Sequence, residues 1–302
     1  MESTLTTSPQ DALRRARRVE LVAVRLVNDA MVGGYLSSFK GRGTDFEELR
    51  EYVPGDDVRS IDWNVTARTG RAFIRLHREE RELTMILAVD ISGSADFGSG
   101  EQSTRERAAE VAATLAVSAL KAGDKVGLLL FSDAAECWVP ARKGRRHVLR
   151  IVRDILLYPA KSRKTAFAKP LRRLARAVKR RSAIFVISDF LAGSEGPEAM
   201  VTALSELNAR HDVACMHLVD ARTRTLPDAG IVALEDAETG VITEVNTSSA
   251  SVREKFAQLS QQRLTETEAS LTRAGVDTTR LEQTTAIAPA LSRFFERRRK
   301  RR

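Results

Sequence analysis

Short apolar runs alternate with segments of helical periodicity over most of the chain beyond residue 83. The runs cover residues 85–89, 126–131, 183–187 and 213–219, and they carry no polar alternation. The segments between and after them predict helices at about 104–121, 144–157, 167–179, 197–210 and 250–273. Continuously apolar strands separated by helices are typical of a mostly parallel sheet covered on both faces. The pattern therefore predicts an α/β domain with a central sheet and helices on either side.

The first part of the chain follows a different pattern. Residues 9–30 carry an apolar stripe at helical spacing, which predicts a helix. Glycines follow at Gly33-Gly34-Tyr35 and 41–43, where we expect the chain to turn. Short strands, one of them at about 72–77, are expected in the irregular stretch that continues to residue 82.

The end of the chain contains three further predicted features. Residues 221–246 interrupt the alternation and are expected to hold an edge hairpin with a strand at 241–245. A last helix is expected at about 285–296, before a run of basic residues. The resulting organisation is an N-terminal helical segment (1–30), a unit with short strands (31–82), an α/β domain (83–296) and a basic tail (297–302).

The basic tail dominates the charge of the protein. The net charge over 302 residues is +9, and the tail contributes six of these charges, which leaves the rest of the chain with only +3. We therefore expect no specific nucleic-acid binding by the body of the protein. The tail either is solvated and disordered, as charge runs usually are, or binds anionic lipid or nucleic acid.

The cysteines and the hydropathy of the chain indicate the cellular compartment in which the protein is expected. Cys137 and Cys215 lie in separate apolar runs and are interpreted as small core residues. A disulfide framework is not expected, which fits a reducing compartment. No signal peptide is recognised, and no apolar run reaches the roughly 18 residues of a membrane helix. The prediction is a cytoplasmic protein, with peripheral contact to the membrane through the tail as an alternative.

Polar oxygen donors follow the predicted strands. Asp90, Ser92 and Ser94 come directly after the run 85–89, and Asp189 follows the run 183–187. Thr165 lies in a polar loop before a predicted helix. In a parallel sheet, the strand ends and this loop can meet at one edge. Carboxylate and hydroxyl oxygens suit Mg²⁺, or else Ca²⁺ or Mn²⁺, rather than zinc.

Only two carboxylates would meet such a cation, so a coordination position is expected to stay open for a carboxylate from another molecule. The alternative is structural: Asp90 stabilises a turn, Asp189 is an ordinary strand-end residue, and Thr165 caps a helix.

The Asp-x-Ser-x-Ser spacing after the first apolar strand, the loop threonine and the later strand-end aspartate resemble the metal-ion-dependent adhesion site of von Willebrand factor A (VWA) domains. The resemblance covers about residues 83–280 and implies a Rossmann-like VWA fold. It also implies that Ser92, Ser94 and Thr165 coordinate the cation, that Asp90 and Asp189 do so directly or through water, and that a partner's acidic residue completes the shell.

Several spaced motifs lie upstream of the predicted α/β domain. They are Gly41-Arg42-Gly43-Thr44-Asp45-Phe46, Leu49-Arg50-Glu51-Tyr52, Pro54-Gly55-Asp56-Asp57, Arg59-Ser60-Ile61-Asp62-Trp63 and Thr66-Ala67-Arg68. In this order they resemble a narrower family, domain-of-unknown-function family 58 (DUF58), which places this segment before a VWA domain. The Ser188-Asp189-Phe190 sequence is similar to that family as well.

Charged residues alternate within these upstream motifs. They form either a salt-bridged turn that fastens the small unit to the α/β domain, with Trp63 as an apolar anchor, or a binding surface for a partner. The candidate binding residues are Asp56, Asp57, Arg59, Asp62 and Arg68.

The family resemblance implies a non-catalytic adaptor that works with a MoxR-type AAA+ ATPase in the maturation or remodelling of client proteins. ATP hydrolysis by this chain is not expected, because the sequence has no phosphate-binding G-x-x-x-x-G-K-[ST] loop. One alternative is a metal-dependent phosphoester hydrolase or phosphotransferase, since a strand-end aspartate beside Mg²⁺ also occurs in aspartyl-phosphate enzymes. Such enzymes typically place a second aspartate where this chain has Ser92. Another alternative is binding of an anionic membrane or nucleic acid through the tail.

Overall fold

A computed structural model describes residues 9–39, 48–56, 58, 61–76, 83–98, 102–191, 193, 195–220 and 223–301. The helices in this part of the chain are α1 (Pro9–Leu26), α2 (Asp29–Phe39), α3 (Trp63–Thr69), α4 (Thr104–Lys121), α5 (Arg145–Leu157), α6 (Ala168–Ala177), α7 (Gly196–Arg210), α8 (Ala250–Arg273) and α9 (Ile287–Arg301). The strands are β1 (Glu48–Glu51), β2 (Phe73–Leu76), β3 (Thr84–Asp90), β4 (Lys125–Phe131), β5 (Ala135–Arg142), β6 (Ala183–Ser188), β7 (Asp212–Val219), β8 (Ile231–Glu235), β9 (Ile242–Asn246) and β10 (Asp277–Glu282).

The central sheet of the described chain has six strands in the order β10-β7-β6-β3-β4-β5. All neighbours pair in parallel except β5, which runs antiparallel to β4 with register shifts. Helices cover both faces, so the mostly parallel, Rossmann-like α/β architecture expected for a VWA-like domain is confirmed. Edge strand β10 is not among the predicted strands, because its sequence, DTTRLE, has only one large apolar residue.

Strand β3 shows why the apolar runs lack polar alternation. Met85, Leu87 and Val89 face one helical layer, whereas Ile86 and Ala88 face the other. Both sides of the strand are buried, so both sets of alternating positions must be apolar. The first layer contains α4, α5 and α9, and the second contains α6, α7 and part of α8.

The N-terminal helices contribute to the first of these layers. Val27, Met31, Tyr35 and Phe39 lie in the same buried cluster as α4 and α9. The expected turn at Gly33-Gly34-Tyr35 is wrong, because these residues lie inside α2. A Cβ at Gly34 would lie 3.4 Å from the Cβ of Phe295, so the glycine allows α2 to approach α9 closely.

The predicted basic tail is helical through Arg301. Helix α9 continues past residue 296, and the side chain of Arg298 is only 3% exposed. Its guanidinium pairs with Asp212 and Asp277 and lies 4.2 Å from the ring centroid of Phe39. The expectation of a disordered tail is therefore wrong for 297–301. Arg297, Arg299, Lys300 and Arg301 are exposed to solvent as expected, and Arg298 alone among these five is buried.

The short-strand unit is built from β1, β2 and α3. Strands β1 and β2 pair antiparallel, in agreement with the expected strand near 72–77. Asp62 is the N-cap of α3 and accepts hydrogen bonds from the backbone N–H groups of Asn64 and Val65. Trp63 is 67% exposed, so its predicted role as an apolar anchor is wrong.

The remaining expectations concern the hairpin, the cysteines and membrane helices. Strands β8 and β9 form an antiparallel hairpin as expected, with β9 displaced by one residue from the predicted 241–245. The hairpin is a separate two-stranded sheet, so its expected place at an edge of the central sheet is wrong. Cys137 is half-buried, Cys215 is buried, and both are free thiols. Among the described helices, none combines the length and apolar character needed to cross a bilayer.

Candidate metal centre

Asp90, Ser92 and Ser94 lie on one tight turn at the carboxyl end of β3. Asp90 is the last residue of the strand, and its Oδ1 accepts a hydrogen bond of 2.9 Å from the Ser92 N–H. The hydroxyls of Ser92 and Ser94 lie 3.3 Å apart. The alternating spacing therefore places oxygen donors from three side chains next to one another, as the sequence predicts.

Asp189 reaches the same place from the neighbouring strand. It follows the last residue of β6, which pairs in parallel with β3. Ser188 connects the two carboxylates: its Oγ donates to Asp90 Oδ2 at 2.7 Å and lies 3.5 Å from Asp189 Oδ1. Two carboxylates that are 99 positions apart in sequence are thus joined through one buried hydroxyl.

The backbone after Asp189 is held in an unusual conformation. Phe190 has a φ of 54°, in the left-handed region that costs a non-glycine residue about 1–3 kcal/mol. Packing of the buried Phe190 ring holds this backbone conformation. The ring stacks on Phe167 with centroids 5.7 Å apart and meets His217 edge-on at 5.7 Å. Its N–H donates to Ser188 Oγ at 2.9 Å, and the Leu191 N–H donates to Asp189 Oδ1 at 3.1 Å. This conformation positions both Ser188 and Asp189.

The loop that contains Thr165 is hydrogen-bonded to the turn after β3. The Gly93 N–H donates to the backbone oxygen of Arg163 at 2.9 Å. A Cβ at Gly93 would lie 3.1 Å from the Cβ of Arg163, so this approach requires a small residue at position 93. The Thr165 hydroxyl is buried, and it has no hydrogen-bond partner in the described part of the chain. Thr165 does not cap α6, whose N-cap position is occupied by Phe167.

The pKa values of both aspartates are raised above the ordinary value of a carboxyl group. Burial raises the pKa of Asp90, and the nearby carboxylate of Asp189 raises it further. The pKa of Asp189 is also raised, first by burial and then by the negative charge of Glu238, although the Ser94 hydroxyl opposes the shift. Burial lowers the pKa of His217 to about 4, so this imidazole is neutral at pH 7. A positive charge between the two aspartates would stabilise both as carboxylates.

These features fit a hard divalent cation. The donors are oxygens, one buried hydroxyl lacks a partner among the described residues, and the buried carboxylate of Asp90 and the half-buried one of Asp189 resist joint ionisation. Within the described ranges, no cluster of three or more His, Cys, Asp or Glu residues is placed to hold a metal. Any ion at this edge must therefore use hydroxyl ligands beside its carboxylates, which suits Mg²⁺, Ca²⁺ or Mn²⁺ rather than zinc.

The candidate binding residues upstream have local structural roles where they are described. Asp56 accepts from the Val53 N–H at 2.9 Å and pairs with Arg50 at 2.7 Å, so the ion pair lies within the small unit itself. Asp62 caps α3, and Arg68 is exposed in the last turn of that helix. Asp57 and Arg59 lie outside the described residues.

Two residues that the sequence analysis did not propose as ligands also lie beside the candidate metal centre. Ser188 was included only as part of a family motif, yet it contacts both aspartates. Glu238 comes from the turn between β8 and β9 and accepts a hydrogen bond from the Thr165 N–H at 3.2 Å. Its position 49 residues after Asp189 gives no sequence signal for this contact, because only the folded hairpin brings it here.

Comparison with known proteins adds the following matches. The family model described as "Protein of unknown function DUF58" matches residues 48–266. Uncharacterized proteins of Mycobacterium bovis and Mycobacterium tuberculosis are each 36% identical over 244 residues, covering 80% of this chain and 75% of theirs. The crystal structure of BatB from Bacteroides thetaiotaomicron aligns with a TM-score of 0.47 and 17% identity, covering 72% of this chain and 99% of that chain. The VWA domain of SpRpn10 aligns with a TM-score of 0.42 and 10% identity, covering 72% of this chain and 95% of that one.

Proposed function

This chain belongs to the DUF58 family, and from that membership and the geometry of the sheet edge we propose that it is a protein-interaction module that binds its partner through a divalent cation. The cation is Mg²⁺ in this proposal, with Ca²⁺ or Mn²⁺ as substitutes. Its ligands are Asp90, Ser92, Ser94, Thr165 and Asp189.

The observation that carries the proposal is a buried hydroxyl without a partner, on Thr165, in a loop that is hydrogen-bonded to the turn that bears Ser92 and Ser94. Buried hydroxyls are almost always hydrogen-bonded, and leaving one unsatisfied costs about 1–3 kcal/mol. Thr165 is 1% exposed, and its hydroxyl has no partner in the part of the chain that is described. A metal ligand accounts for a hydroxyl in this position, whereas a structural threonine would be bonded to the backbone.

In this proposal, hydrogen bonds within the protein orient the two carboxylates, and the carboxylates neutralise the charge of the cation. Ser188 and the Ser92 N–H hold Asp90 in place, and the Leu191 N–H holds Asp189. When bound, the cation supplies a positive charge that attracts a carboxylate of the partner. The protein contributes binding and orientation rather than a chemical step, so we propose that it is not an enzyme.

The proposed partner is a MoxR-type AAA+ ATPase, with the chain acting as an adaptor in client protein maturation. An acidic side chain of the ATPase or of a client would complete the coordination of the cation. Asp and Glu carboxylates meet the preference of Mg²⁺ for charged oxygen ligands.

The first test is metal binding measured by calorimetric titration with Mg²⁺ and Mn²⁺. We expect wild-type protein to bind and Asp90→Ala and Asp90→Asn to lose binding, because each removes one of the two carboxylate charges. Asp96→Ala is a matched control, since Asp96 lies on the same turn but is exposed and close to Arg105. Equal binding by wild type and both Asp90 variants would overturn the proposal.

The second test concerns the partner. Binding to the MoxR-type ATPase of the same organism is measured with magnesium, with EDTA, and with Asp90→Ala. We expect EDTA and the substitution to abolish the same fraction of binding. Binding that is indifferent to both treatments would exclude a metal bridge.

A further inference from the structure

Helix α1 has a solvent face on which arginines alternate with aliphatic side chains. Its members recur at helical spacing and are all exposed: Arg14, Arg17, Arg18, Leu21, Val22, Val24 and Arg25. Leu21 is 50% exposed, although the opposite side of the helix already buries Ala23 and Val27 in the core. The aliphatic residues of the solvent face are therefore additional to those that pack α1 against the rest of the protein.

Helix α5 lies beside α1 and extends this surface. Its solvent-facing positions follow a similar pattern: Arg145, Arg146, Arg150, Arg153 and Leu157. Its single acidic residue, Asp154, already forms ion pairs with Arg150 and Arg153. The two helices together contain nine arginines and three acidic residues, so the surface they share is strongly cationic. We call this surface, with its exposed aliphatic residues, the α1–α5 face.

A cavity of about 410 Å³ lies where the two helices meet. It is lined by Arg17 and Leu21 from α1 and by Arg145, Arg146 and Leu149 from α5. Guanidinium groups bind phosphate oxygens through paired hydrogen bonds, whereas aliphatic side chains favour hydrocarbon. The lining therefore fits a molecule that joins an anionic phosphate to an apolar chain, which is the chemistry of an anionic phospholipid.

We propose that the α1–α5 face binds the surface of an anionic phospholipid bilayer. The arginines contact the headgroup phosphates, and Leu21, Val22 and Val24 enter the boundary between the headgroups and the acyl chains. Both helices lie along the membrane surface in this arrangement and do not cross the bilayer. The proposal is independent of the cation, because neither helix carries one of its proposed ligands.

The exposed aliphatic residues favour a membrane over a nucleic acid as the anionic partner. A phosphate backbone is bound through the positive charges alone, so Leu21 and Val22 would add nothing to that contact. At a bilayer, burial of the same side chains adds an apolar contribution to the electrostatic one. An effect of Leu21 on binding therefore distinguishes the two partners.

The test is sedimentation with vesicles of phosphatidylcholine, alone or mixed with an equal share of phosphatidylglycerol. Arg17→Gln/Arg146→Gln removes two charges from the cavity lining, and Leu21→Gln removes an exposed aliphatic side chain. Arg173→Gln/Arg176→Gln is the matched control, because it makes the same charge change at two exposed positions of α6, which covers the opposite side of the central sheet. Circular dichroism melting verifies that each variant is folded.

We expect wild-type protein to bind the mixed vesicles and to sediment little with phosphatidylcholine alone. Arg17→Gln/Arg146→Gln should weaken binding about thirtyfold, because each arginine near an anionic surface contributes about fivefold to the affinity. Leu21→Gln should weaken it about fivefold, since about half of this side chain remains to be buried. The α6 variant should stay within about twofold of wild type, because its charges lie farther from the membrane than salt screening allows.

The inference is overturned if wild type does not bind the mixed vesicles, or if the α6 variant loses as much affinity as Arg17→Gln/Arg146→Gln. It is also overturned if Arg299→Gln/Lys300→Gln abolishes binding while the α1–α5 variants retain it, because the end of α9 would then be the membrane-binding surface. Binding to a DNA duplex but not to vesicles, with no effect of Leu21→Gln, would identify nucleic acid as the partner and refute the membrane.

Discussion

Replacing Thr165 by valine should change the stability of the protein in opposite directions without and with a divalent cation. Valine has nearly the shape of threonine and replaces the hydroxyl by a methyl group. Because the Thr165 hydroxyl is buried and lacks a partner among the described residues, the substitution breaks no hydrogen bond of that hydroxyl. The metal-free protein therefore loses an unfavourable group and gains an apolar one.

The expected gain follows from the burial. An unsatisfied buried hydroxyl costs about 1–3 kcal/mol, and an added buried methyl group contributes about 0.8 kcal/mol. Since local relaxation offsets part of the penalty, we expect Thr165→Val to stabilise metal-free protein by about 1–2 kcal/mol. For a domain of this size, that corresponds to a rise in Tm of roughly 2–6 °C.

With metal present, the sign should reverse. A ligand at about one hundred times its Kd stabilises the folded state by about 2.7 kcal/mol. A tenfold loss of affinity removes about 1.3 kcal/mol of that amount, which only offsets the gain, whereas a hundredfold loss removes about 2.3 kcal/mol and exceeds it. If the affinity falls a hundredfold or more, the magnesium-dependent rise in Tm should almost disappear in Thr165→Val.

The measurement is differential scanning calorimetry of both proteins with EDTA and with excess magnesium. Thr114→Val is the matched control, because Thr114 is also 1% exposed, but its hydroxyl donates to the Glu110 backbone oxygen at 2.8 Å. We expect this control to lose about 1 kcal/mol and to keep the full magnesium response. The reasoning is refuted if Thr165→Val destabilises metal-free protein as Thr114→Val does, or if it keeps the wild-type magnesium response.

Three further substitutions test the packing of the fold away from the site. Arg298→Ala should lower the free energy of unfolding by about 2–4 kcal/mol in urea titrations, because it removes a guanidinium that is 3% exposed and its ion pair with the half-buried carboxylate of Asp212. A loss below about 1 kcal/mol would contradict the buried role of Arg298. Tyr35→Phe should cost about 2 kcal/mol in the same assay, since the phenol donates to Asp124 at 3.1 Å inside the core, and an unchanged midpoint would argue against that bond. Trp63→Ala should alter stability by no more than about 0.5 kcal/mol, as its side chain is 67% exposed; a larger loss would restore its role as an anchor.

Local sequence patterns were sufficient for the main elements of the fold. The buried strands β3, β4, β6 and β7 are continuous apolar runs, because each is covered on both faces, and the helices between them show amphipathic spacing. The parallel direction of these strands was predictable from connectivity, since strands joined by a helix are typically parallel neighbours in such a sheet. That Asp90 and Asp189 lie at one edge of the sheet was predictable on the same basis, whereas the adjacency of β3 and β6 was not.

Errors arose where a residue's environment comes from distant parts of the chain. Gly34 lies in a helix because Phe295 packs against it, although a pair of glycines is locally typical of a turn. Arg298 resembles its neighbours in the basic run, and only Asp212 and Phe39 distinguish it. Strand β10 has few apolar residues because it lies at the edge of the sheet, so its pairing with β7 is invisible in its own sequence.

For the candidate metal centre, the sequence by itself determined the chemistry of the donors, because oxygen ligands at strand ends are a property of residue type and local spacing. Tertiary structure decided how they are arranged. It brought Ser188 between the two aspartates, left the Thr165 hydroxyl without a described partner, and placed Glu238 beside them. The physical reason is that burial and electrostatic coupling depend on distances in space, and the interactions that set them here join residues 49 to 99 positions apart.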